Sequence, residues 1–89
     1  MEKKNATIEW IGEIEKSKIG KNKVAIDIST PLEPKKRYVV LENMNYAFDL
    51  VKNFKANVYR IGDKIDFTYN VPTGNWPPSI WKIYNHKRK

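Results

Sequence analysis

The chain has 89 residues, and its 17 Lys and Arg against 10 Asp and Glu give a formal charge of +7. That length supports one domain around one core. The absence of cysteine excludes disulfides and thiolate metal sites, and no window reaches the ~20 apolar residues of a membrane span.

A basic protein repels itself, and a polyanion relieves that repulsion. Nucleic acid is therefore the first class of partner to consider, and an anionic membrane surface the second. Met1-Glu2-Lys3-Lys4-Asn5 has no apolar stretch of the kind a secretory signal needs. The expectation is a soluble, cytoplasmic protein with no membrane association, carrying short tails at residues 1–5 and 86–89.

The first element spans Ala6–Glu15. Ile8 and Trp10 alternate with Thr7 and Glu9 as a half-buried strand requires. The alternation then slips at Trp10-Ile11, beside Gly12, which predicts a bulge or bend. Ser17–Asn22 reads as a turn, and Val24, Ile26 and Ile28 define a second strand by strict alternation. Thr30-Pro31-Leu32-Glu33-Pro34 ends it, since proline donates no ladder hydrogen bond. Lys35-Lys36-Arg37 then leads into a third strand, Tyr38–Leu41.

Asn43 or Asn45 can cap a helix running through Phe54, with Tyr46, Leu50 and Phe54 on one face beside Ala47 and Val51. Ala56–Arg60 suits either a strand or a connection. Ile61-Gly62-Asp63-Lys64 is a turn, followed by the alternating strand Ile65, Phe67, Tyr69. Val71–Pro78 is a long loop rich in Pro and Gly that carries Trp76. A last strand over Ile80–Asn85 sets Trp81 and Ile83 on one side and Lys82 and Tyr84 on the other. His86-Lys87-Arg88-Lys89 closes the chain as a basic tail.

Strand, strand, strand, helix, strand, strand, with a bent first strand, resembles the OB-fold single-stranded nucleic-acid-binding proteins. Phe54 to Tyr69, with its helix end, Gly62-Asp63 turn and alternating strand, is similar to the corresponding stretch of many of them. The resemblance implies a mainly β, small five-stranded barrel with one short helix between strands three and four, and a binding face on strands two and three flanked by two loops. An SH3-like barrel is the alternative, and it would make Ala56–Arg60 a strand. The terminal Lys87-Arg88-Lys89 departs from the acidic tip of bacterial single-strand binding proteins.

Single-strand binding needs cations along the backbone and aromatic faces for bases. The first flanking loop holds Lys16, Lys18, Lys21 and Lys23 with no acidic residue among them, and the second holds Trp76. Lys35, Lys36, Arg37 and Lys82 extend the charge; Tyr38, Tyr69 and Tyr84 are further stacking candidates. Phe48, Phe54, Phe67 and one of Trp10 and Trp81 are assigned to the core. The expected partner is single-stranded DNA or RNA, bound with weak sequence preference. The competing reading is a protein-interaction module or homodimer using a Trp76–Tyr84 patch.

No cofactor and no enzymatic activity are expected. The glycines are isolated, His86 is read as a solvated tail residue, and Asp63 as a turn residue beside Gly62.

Overall fold

The computed structural model describes residues 1–16, 18, 20–42 and 50–89. Its elements are β1 (Glu2–Ile11), β2 (Glu15–Lys16), β3 (Asn22–Thr30), β4 (Glu33–Leu41), α1 (Leu50–Lys55), β5 (Lys64–Tyr69) and β6 (Ile80–Lys87). β3 pairs with β1 and β2 along one side and with β4 along the other. β1 also pairs with β5, and β5 with β6. All of these pairings are antiparallel, within one six-stranded sheet.

The predicted long first strand is thus two strands. Register slips between Ile8 and Trp10, and the chain leaves the ladder at Gly12 before rejoining β3 through Glu15 and Lys16. Gly12 still donates its N–H to Ala25 O at 2.8 Å.

The sheet is not closed into the expected five-stranded barrel. Among the described residues β4 bridges to the chain just before β6 at one isolated parallel pair, Val39 to Ser79, where Val39 N donates to Pro78 O at 3.0 Å. A closed barrel needs a ladder there, and a single bridge does not make one.

The other boundary corrections share one cause: paired edges recruit residues that carry no apolar signal of their own. β1 begins at Glu2 and β6 ends at Lys87, so most of the predicted N-terminal tail and half of the C-terminal one are strand. β4 starts at Glu33 and takes in Pro34 and the basic run. Its other side lies at the edge of the sheet, where a proline costs little. The tight turn before it is held by Thr30 Oγ1, which accepts from the N–H groups of Leu32 and Glu33.

The predicted helix start, with Tyr46, Ala47 and Phe48, lies outside the described residues. Leu50, Val51 and Phe54 of α1 are buried as their spacing requires. Asn57 then adopts φ 59. Its N–H reaches Phe54 O, and that of Val58 reaches Asn53 O. This is a left-handed cap that ends the helix. Ala56–Arg60 forms no strand, which removes the feature an SH3-like barrel required.

The core gathers inward-facing residues of five strands against the helix: Ile8, Val24, Ile26, Ile28, Val40, Ile65, Phe67 and Ile80 with Leu50, Val51 and Phe54. No helix among the described residues is long and apolar enough to cross a membrane.

Candidate nucleic-acid interface

Because Val24, Ile26 and Ile28 face inward on β3, the intervening Lys23, Ala25 and Asp27 face outward. On β4, Tyr38 and Val40 are buried and Arg37, Val39 and Leu41 take the outer side. Register aligns these outer residues in rows, with Lys23 opposite Leu41, Ala25 opposite Val39 and Asp27 opposite Arg37. On the other side of β3, Trp10 of β1 is also opposite Asp27. Trp10, Asp27 and Arg37 therefore form one row across three strands.

That row is chemically connected. Arg37 Nε donates to Asp27 Oδ1 at 2.5 Å. The guanidinium carbon lies 4.8 Å from the Trp10 ring centroid, within cation–π range. The indole folds back over Gly12, where an added Cβ would sit 2.7 Å from the ring. Glycine at this position is what gives the ring its place. Asp27 is buried beneath the pair, while the indole remains 41% exposed.

Trp76 occupies the other end of the same face. Its loop is pinched at the base by Asn70, whose N–H donates to Ser79 O and whose Oδ1 accepts from Ser79 N. The bond from Val39 N to Pro78 O ties the loop to β4. Trp76 is 76% exposed. With Pro72, Pro77, Val39 and Leu41 it bounds a cleft of about 600 Å³ that Lys18 and Lys23 also line. A second cleft, about 320 Å³, is lined by Trp10, Glu13, Glu15, Ala25 and Arg37, and it shares Lys23 and Val39 with the first. The two clefts adjoin at Lys23 and Val39, and together they form a groove with one exposed indole in each part and Lys18, Lys23 and Arg37 along it.

Of the sequence-predicted site residues, the groove brings together Lys18, Lys23, Arg37 and Trp76. Lys16 is exposed on β2 and Lys21 half-buried before β3, and neither lines the groove. Lys35 and Lys36 are exposed on the first half of β4, beyond it. Tyr38 and Tyr69 are not stacking faces. They are 2% and 8% exposed and pack edge-on at 5.8 Å, with Phe67 against both. Each has the parity of its strand's buried residues, Val40 for Tyr38, and Ile65 and Phe67 for Tyr69. Lys82 and Tyr84 sit on β6, where Tyr84 is half-buried and its hydroxyl is enclosed without a partner among the described residues. They line neither cleft.

The aromatic assignment also needs correction at Trp10 and Trp81. Phe54 and Phe67 are core, as expected, and Phe48 lies outside the described residues. Trp81 is half-buried and Trp10 exposed, so neither joins the core. The bulge between Ile8 and Trp10 puts Ile8 inward and turns the indole out. The phase slip was the available signal. It located the bulge without saying which neighbour would face solvent.

His86 is not a solvated tail residue. Its Nε2 lies 2.7 Å from Oδ2 of Asp63, which is only 2% exposed. The same carboxylate accepts from Arg60 N and Lys89 N. Burial penalises the charge of Asp63, but the bonds from His86 and from the Lys89 and Arg60 N–H groups together hold its carboxyl below the ordinary value. The His86 ring packs at 4.9 Å against Tyr59, which packs at 4.9 Å against Phe54. This cluster fastens the end of β6 to the turn before β5.

No family model, curated protein or solved structure matches this chain.

Proposed function

We propose that the chain is a single-stranded nucleic-acid-binding module built on an open, OB-like sheet. The observation that carries this reading is the groove across β3 and β4, with Trp10 and Trp76 exposed, one in each part, and Lys18, Lys23 and Arg37 along it. Spaced indoles suit bases that are already unstacked, and the cations suit the phosphates between them. Order of pairing supports the OB-like part. β1 lies between β3 and β5, β3 carries β4, β5 carries β6, and β4 bridges in parallel to the chain just before β6, as a Greek-key barrel opened along one seam would have it.

Tryptophan fluorescence tests the proposal. Adding single-stranded oligonucleotide quenches it, and affinity falls with salt at a logarithmic slope of about −2 for three phosphate contacts. Trp76→Ala costs about tenfold in affinity, in line with the loss of one stacked base, and leaves thermal stability unchanged because the side chain is exposed. Binding that ignores both salt and Trp76 removes this reading and favours a protein partner.

A further inference from the structure

The cleft at the Trp10 end differs chemically from the one at Trp76. Besides the indole, Arg37 and the shared Lys23 it is lined by two carboxylates, Glu13 and Glu15, both exposed. Among the described residues neither forms a salt bridge, and Asp27 adds a third carboxylate beneath Arg37. A subsite for phosphate would not be built this way, since three carboxylates outnumber the two cations, Arg37 and Lys23, that would attract the anion.

We propose that this cleft is a guanine-selective base pocket on the nucleic-acid groove, an inference that rests on the single-strand reading above. The bond from Nε to Asp27 fixes the plane of the Arg37 guanidinium and leaves its two terminal nitrogens to donate elsewhere. Paired donors in one plane match the O6 and N7 acceptors of guanine. Glu13 and Glu15 supply acceptors for the donors on the remaining edge, N1–H and the N2 amino group. Adenine presents an amino group where O6 would be, so its donor meets the donors of Arg37. Thymine offers a single ring N–H to the carboxylates, and cytosine one amino group. The Trp10 indole provides the apolar face over which the base lies. Selectivity arises because a wrong base leaves either the guanidinium or the carboxylates unpaired in a partly desolvated cleft.

The test uses the full chain and a labelled twelve-nucleotide oligothymidine, alone and with one central dG, dA or dC. The dG oligonucleotide binds about tenfold more tightly than the all-thymidine one. Replacing dG by 7-deaza-dG, which lacks N7, or by inosine, which lacks the amino group, gives up part of that gain. Arg37→Lys, and separately the double variant Glu13→Ala with Glu15→Ala, each bring the dG-to-dT affinity ratio close to one. Equal binding of all four oligonucleotides overturns the pocket and leaves the single-strand reading standing. A dG preference that survives both variants also overturns it, and binding of none of them overturns both readings.

Discussion

Two clusters in this molecule share one design and differ in what they leave open. In each, a buried aspartate holds a basic side chain that packs against an aromatic ring: Asp27 with Arg37 and Trp10, Asp63 with His86 and Tyr59. At Asp63 the arrangement is saturated. Both oxygens are bonded, two of the donors are backbone N–H groups, and Tyr59 is buried. At Asp27 the partner side chain stays half exposed, the ring is open to solvent, and the guanidinium keeps donors to spare. Closed, the motif fastens a strand end; open, it presents a surface. The contrast is that the Asp63 cluster uses its bonds within the fold, whereas at Asp27 the guanidinium retains unused donors facing water.

Asp63→Ala tests that contrast with the largest expected effect. It leaves His86 and two backbone N–H groups without their acceptor in a partly buried setting. The cost is about 3 kcal/mol, or roughly 15 °C in melting temperature for a chain of this size. Asp27→Ala frees a guanidinium that water can reach, so the stability cost is about 1 kcal/mol, while oligonucleotide affinity drops because Arg37 is no longer held in plane. Thermal melts of the two variants decide the matter. Equal destabilisation would mean that the open cluster is structural after all.

These clusters also divide what the sequence discloses from what it does not. Strict alternation over Val24–Ile28 and Ile65–Tyr69 identifies β3 and β5, and the Pro- and Gly-rich loop correctly leaves Trp76 exposed. The same alternation, followed to its end, would have put Tyr69 in the core, whereas the unbroken apolar run Tyr38–Leu41 does not say which way Tyr38 faces. Asp27 reads as one more polar residue on the outer face of a strand. What makes it a partner is β3–β4 register, which sets Arg37 directly opposite. Asp63 and His86 stand 23 residues apart, and nothing local to either residue signals the other. Single-chain patterning reports which face a residue occupies, whereas the polar clusters are set by which strands become neighbours.

Gly12→Ala sharpens the open side of the comparison with a smaller effect. Its Cβ would stand 2.7 Å from the Trp10 ring and 3.1 Å from Ala25 O. The indole can swing into solvent more readily than the backbone can move, so stability falls by about 1 kcal/mol or less. Displacing the ring separates it from Arg37, and the dG preference declines more than binding to oligothymidine. A crystal structure of the variant with the ring still over the guanidinium would contradict this.

pH probes the closed side most gently. Since the Asp63 carboxyl sits below its ordinary value in the folded state, its contribution to stability is full above the unfolded carboxylate value, about 3.9. It is lost as pH falls through the lower folded value. Asp66 acts in the same direction, held low first by the Asn85 side chain and then by the Asn5 N–H. Asp63→Asn should therefore flatten part of the acid limb of stability against pH and leave the share belonging to Asp66. Asp63→Asn combined with Asp66→Asn should flatten it further. Urea titrations between pH 2 and pH 6 separate the two shares, and an acid limb unmoved by Asp63→Asn would show that the cluster is held by packing of Tyr59 and His86 rather than by the charge at its centre.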